Sequence, residues 1–159
     1  MNQKFEERMS DRTVAKDTRT LGDFVEIYCQ GLHRGVDRAP IHTDAAVLGV
    51  YGRKPPVLCA ECEAHLAYGE NRRAFCPKDP KPFCANCDVH CYRSEEREWQ
   101  RQMMRYSGRR SMFRGHAIDG IKHLMETKRH KREAEKLSAR QATDPTAAGG
   151  AGANRSPHD

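Results

Sequence analysis

The sequence predicts a mainly α-helical small domain, built from about four helices and stabilised by metal. Cysteine knuckles, a Pro-rich loop and disordered tails complete the expected fold class. Three observations carry this reading. Leu, Ile, Val and Phe fill only 23 of 159 positions, in the range where charged chains fail to fold unaided. Apolar residues nevertheless recur at helical spacing in several stretches. Seven cysteines offer what a thin apolar core does not, a set of bonds that can replace buried area.

The elements follow in chain order. Residues 1–18 are polar and charged and read as a flexible N-terminus. Leu21, Phe24, Val25, Tyr28 and Leu32 fall at i, i+3, i+4, i+7 and i+11, one stripe of an amphipathic helix. Cys29 and His33 lie one turn apart on that helix and can point at one object. Residues 34–57 carry Gly, Pro and mixed charge and read as a connection, with a short strand expected at "AVLGVY". Cys59 and Cys62 form a knuckle leading into a short helix, on which Cys62, His65 and Leu66 keep helical spacing. "CPKDPKPFC" holds three prolines, so residues 76–83 are expected to form a constrained loop. Ser94 with Glu95 and Glu96 marks a helix start. Trp99, Met103 and Tyr106 supply its apolar side, and Gly108 marks its expected stop. A last helix is expected from about residue 112 into the 130s, lined by Phe113, Ile118, Ile121, Leu124 and Met125. The organisation is thus a lead-in over 1–18, a cysteine-rich metal-binding helical domain over 19–137, and a disordered tail over 138–159.

The cysteines are Cys29, Cys59, Cys62, Cys76, Cys84, Cys87 and Cys91. Their number is odd, so complete internal pairing is impossible. The first twenty residues lack an apolar secretory core and no run is long enough to span a bilayer. The expected location is therefore the cytosol, where thiols stay reduced and metal ligation is the better reading. Two C-x2-C pairs, 59/62 and 84/87, are separated by 21 residues, just beyond the usual spacer of about 15–20. A tight turn at that spacing aims two sulfurs at one ion, and the two pairs are expected to share one. Cys29, His33, Cys76, His90 and Cys91 remain for a second site. Buried cysteines that pack as small hydrophobes are the bland alternative, outweighed by two such pairs in one chain. His65, His116 and His123 read as surface helix residues. Sulfur donors suit zinc and iron–sulfur clusters alike; histidines among them favour Zn2+, spare cysteines the iron–sulfur alternative.

"YCQGLH", "LCAEC" with a following "HLAY", "CPKDPKPFCANCDVHCY" and "MMRYSG" occur in that order. Together they resemble the nitrous-oxide-stimulated promoter family of small bacterial proteins, over roughly residues 21–125. The resemblance implies expression linked to nitrogen-oxide stress. All seven cysteines, His33 and His90 fall on positions matching the family pattern. One departure stands out: where the family continues Tyr-Ser-Gly with Pro-Arg-Met, this chain reads "SGRRSM", with Arg109 in place of the proline.

Residues 97–140 hold 13 Lys or Arg against 5 Asp or Glu. Arg97, Arg101 and Arg105 form a ridge that could track nucleic-acid phosphates. A solvated helix face with snorkelling side chains explains it as well. Three readings follow. The first is a cytosolic metal-binding protein of nitrosative stress. The second is a nucleic-acid-binding regulator with a structural metal site, its binding weak and non-specific. A metal-dependent enzyme ranks last, since the chain has no nucleophile elbow, phosphate loop or H-E-x-x-H.

Overall fold

The computed structural model of the chain describes residues 2–78, 81–82, 84, 87–89, 91–111, 125, 128–129, 131–133 and 135–136. The fold is mainly helical, as expected. The first unit, through Gly120, holds five described helices and one two-stranded sheet. The helices are α1 (Gln3–Ser10), α2 (Arg12–Leu32), α3 (Asp44–Val47), α4 (Ala60–Ala74) and α5 (Ser94–Ser111). The strands are β1 (Ala39–Pro40) and β2 (Val57–Leu58).

Residues 1–18 depart from the expected flexible lead-in. Asn2 caps α1, its side chain accepting from the Lys4 N–H at 2.9 Å. Asp11 caps α2 by accepting from the Thr13 and Val14 N–H groups at 2.7 and 3.0 Å. These bonds satisfy donors that a helix start leaves open and hold the Asp11 carboxyl below its usual range. Phe5, Met9 and Val14 then bury together with Ala45, Val50 and Ala74. Composition hid this segment because its few apolar residues are spaced one turn apart among charges.

The 21-residue helix α2 is the axis of the unit, packing against α4, α5 and α1. Leu21, Val25 and Tyr28 of its expected stripe are buried, and Phe24 packs against the same core. Leu32 is the exception and stands 52% exposed. Ile41, Leu58, Leu66 and Met103 close this core, together with Cys29, Cys59 and Cys62.

The expected strand at "AVLGVY" is instead α3 and a turn. The Thr43 hydroxyl accepts from the Ala46 N–H at 3.3 Å, and Gly49 leaves the helix at φ +74°, a conformation glycine adopts without a Cβ penalty. A cap and a stop six residues apart leave no room for a strand. The strands lie outside this segment and pair antiparallel, Ala39 with Leu58 and Pro40 with Val57. The helix after the first knuckle is longer than expected and runs to Ala74. Gly108 does not stop α5, which continues to Ser111. Arg109 and Arg110 are good helix formers, and the Arg110 guanidinium bonds the Tyr106 carbonyl at 2.8 Å.

From Ile121 onward a second unit is distinguished. Its described residues, including Met125, Arg129 and Glu133, are helical, and Arg129 pairs with Glu133 at 3.7 Å. The expected lining residues Phe113, Ile118, Ile121 and Leu124, and the tail over 138–159, lie outside the described residues.

A buried carboxyl joins α4 to α3. The Glu70 side chain accepts from the Tyr51 hydroxyl at 2.5 Å and the Thr43 hydroxyl at 3.0 Å. Burial pushes its pKa up to about 7 despite those donors. The folded protein therefore holds a proton on Glu70 that the unfolded chain releases near 4.5. Stability falls as pH rises through that window, because the native state binds more protons than the unfolded one.

Three substitutions test this packing. Glu70→Gln removes the pH-dependent cost, so its stability relative to wild type improves by up to about 3 kcal/mol between pH 4.5 and 7.5. Paired urea titrations across that range measure the difference; a pH-independent gap means Glu70 does not titrate there. In α2, a Cβ on Gly22 would stand 2.5 Å from a Tyr51 ring carbon and 3.1 Å from the Pro56 ring. Tyr51 is held by Glu70 and cannot yield, so Gly22→Val is expected to destabilise by about 1–3 kcal/mol. At Gly108 the space is open, and Gly108→Ala is expected to stabilise by about 0.5–1 kcal/mol. Thermal melting distinguishes the two.

Candidate metal centre

Four donors converge where α2 ends and α4 begins. The last turn of α2 supplies Cys29 and its C-cap supplies His33. Cys59 is the N-cap of α4, and Cys62 lies in its first turn. The ligand atoms of these four residues all lie within 4.8 Å of one another. His33 Nδ1 stands 3.2 Å from Cys59 Sγ and 3.4 Å from Cys62 Sγ. A zinc tetrahedron with bonds of about 2.3 Å to sulfur and about 2.0–2.1 Å to nitrogen has S···N edges of about 3.6 Å. The donors thus sit close to the edges of one coordination polyhedron.

Each residue is placed by its element. Cys29 and His33 share a helix edge at i, i+4, while the turn into α4 brings Cys59 and Cys62 to the same side. The Cys59 N–H donates to Cys29 Sγ at 3.3 Å, linking the halves. Arg38 donates to the carbonyls of Cys29 at 3.2 Å and His33 at 2.7 Å, fastening the end of α2. The Tyr28 ring meets the His33 ring edge-on at 5.5 Å. Cys29, Cys59 and Cys62 are buried and His33 is half-buried.

The field suits a cation among thiolates. A helix C-terminus favours positive charge and an N-terminus favours negative charge. The site lies between the C-terminus of α2 and the N-terminus of α4. Burial pushes the Cys59 thiol up, but His33, the backbone N–H of Cys62 and the neighbouring thiols together bring it down to about 7. Cys62 is raised by burial and by the charges of Cys29 and Cys59. Three sulfurs this close repel one another when ionised, and a divalent cation relieves that repulsion. The arrangement can hold a metal as a Cys3His site.

The grouping differs from the sequence expectation. Cys59 and Cys62 join Cys29 and His33, among the described residues, rather than Cys84 and Cys87. The spacer longer than usual between the pairs was a hint of this. Cys76, Cys84, Cys87 and Cys91 lie in the segment between α4 and α5, half-buried or exposed. His90, His116 and His123 lie outside the described residues. His65 stacks on Trp99 at 4.1 Å and bonds Glu96 at 2.8 Å, so it fastens α4 to α5. Arg97, Arg101 and Arg105 are exposed on α5, and Arg101 pairs with Glu98 at 2.8 Å. Sequence reasoning missed Arg38, whose isolated charge in a connecting segment carries no pattern.

Cys29→Ser is expected to remove about one bound metal ion per chain and to lower the melting temperature, since a Cys3His site supplies folding energy when occupied. Elemental analysis and circular dichroism on the same sample check both. Unchanged metal content in the variant means that these four residues are not a ligand set.

No helix among the described residues is long and apolar enough to cross a membrane. No solved structure matches the chain. One relative is the uncharacterized protein YgbA of Escherichia coli strain K12. It is 37% identical over 87 residues, covering 52% of this chain and 74% of the relative. The nitrous oxide-stimulated promoter family matches residues 12–136. That match takes in α2 with Cys29 and His33, the whole of α4 and α5, and every cysteine, so the chain belongs to the nitrous oxide-stimulated promoter family.

Proposed function

We propose that this protein is a cytosolic zinc protein of the nitrosative stress response, with Zn2+ held by Cys29, His33, Cys59 and Cys62. The observation that carries the reading is the mutual approach of the four donors within 4.8 Å. That spacing favours a single ion over an iron–sulfur cluster, whose ligands are spread over several irons and stand further apart than one tetrahedral edge. A histidine among the donors points the same way. The family's description supplies the link to nitrogen oxides.

Occupied, the site is both a structural joint and a reactive one. Thiolates are the nucleophilic and oxidisable form of cysteine. With a metal held there, Cys29, Cys59 and Cys62 would be thiolates, and one of these sulfurs would take the nitroso group of an S-nitrosothiol: the donor's sulfur–nitrogen bond would break as a new one forms at the cysteine, and the donor would leave as its own thiolate. His33 is half-buried and borders solvent, while the three sulfurs are buried. Modification of a sulfur would remove one of the four donors and weaken the tie between the end of α2 and the start of α4, which couples chemistry to conformation.

Treatment of the zinc-loaded chain with an S-nitrosothiol is expected to release zinc into a chromogenic chelator and to reduce helical dichroism, both reversed by thiol and fresh zinc. Mass mapping is expected to find the modification on Cys29, Cys59 or Cys62. Purified chain carrying iron with a visible charge-transfer spectrum, or a zinc content that is unchanged after these sulfurs are modified, overturns the proposal.

A further inference from the structure

We propose that Cys76, Cys84, Cys87 and Cys91 form a second, tetrathiolate site for one thiophilic divalent cation such as zinc. The first site uses three of the seven cysteines. The remaining four fall within residues 76–91, in the pattern C-x7-C-x2-C-x3-C.

Both ends of this segment are fastened to the same helix. At its start, the Cys76 N–H donates to the Arg73 carbonyl at 3.4 Å, in the last turn of α4. At its end, the Tyr92 ring meets the Tyr68 ring edge-on at 5.5 Å, and the Arg93 N–H donates to the Tyr68 hydroxyl at 3.0 Å. Residues 68 and 73 are about 7.5 Å apart along a helix axis, so both ends of the segment are held by one stretch of α4. A cross-link narrows the middle. Lys78 Nζ pairs with Asp88 at 2.9 Å, and those residues lie two after Cys76 and one after Cys87. The Cys87 N–H donates to the Cys84 carbonyl at 3.4 Å, which holds the two cysteines of the C-x2-C pair close together.

The surroundings agree with ligation rather than packing. Cys29, Cys59 and Cys62 belong to the apolar core, whereas none of these four does. Cys84 is exposed and the others are half-buried, so they do not serve as small core hydrophobes. Four thiolates around a divalent cation leave a net charge of about −2. Lys78, Arg72 and Arg93 stand nearby to balance it, the two arginines over the Tyr68 ring.

The second site is independent of the first, and metal counting on the full chain separates them. Wild type is expected to hold two zinc ions, and Cys84→Ser/Cys87→Ser one, with helical dichroism retained because neither side chain lies in the core. Cobalt(II) loading gives a second readout. Wild type should show overlapping absorption from a tetrathiolate and a Cys3His centre, and the double variant only the latter. Full metal content in the double variant, cobalt spectra without a tetrathiolate component, or two disulfides among these cysteines in anaerobically purified chain overturns the proposal. Metal lost from the double variant but not from Cys59→Ser supports this second site and overturns the first.

Discussion

The junction between the C-terminus of α2 and the N-terminus of α4 is the constraint on which the rest of the unit depends. The two helices are separated by 27 residues that contain only short elements, so little local structure fixes their relation. Cys29, His33, Cys59 and Cys62 close that gap, and three of them are also members of the main apolar core. Site and core are therefore one object. In a chain with so few aliphatic residues, a metal held there would act on the same helices, at the same place, as apolar burial does.

From that junction, order passes outward through aromatic rings. Tyr28 touches the His33 ring on one side and the Trp99 and Tyr106 rings on the other, at 5.4 and 5.8 Å. Trp99 in turn stacks on His65 of α4. Helix α5 is thus fastened to both helices of the candidate metal site by edge-to-face and stacked contacts, each worth about 0.5–1.5 kcal/mol beyond area burial. Ser107 adds a hydroxyl bond to the Phe24 carbonyl at 2.7 Å. A perturbation at the sulfurs has a short physical path to α5 through Tyr28.

At the other end of α2 the solution is polar. Glu70, Tyr51 and Thr43 form a buried network, and Arg73 pairs with Asp17 at 2.7 Å. The Arg8 guanidinium bonds the Ala74 carbonyl at 2.9 Å, closing the end of α4 with a residue from α1. These bonds satisfy polar groups whose burial unpaired would cost more than the bonds return in water. They also explain why the charged N-terminal segment orders: its charges have partners on α4.

The sequence by itself determined the helical class, the buried face of α2, the start of α5 and the cysteines and histidines that are candidates for a metal site. Those are local matters. Apolar spacing of 3.6 residues, an acidic first turn and a C-x2-C turn each act over a few neighbouring positions and leave a visible pattern. Tertiary structure decided which donors meet. Cys59 and Cys62 could have paired with Cys84 and Cys87 or with Cys29 and His33, since every candidate pair offers two donors at suitable spacing. Only the packing of α4 along α2 selects the latter. Tertiary structure likewise ordered residues 3–18, because Phe5, Met9 and Val14 become a buried face only when α3 and the end of α4 supply the other side. The same reason hid Glu70 and Arg38: a charge reads as solvated until the fold places a partner beside it.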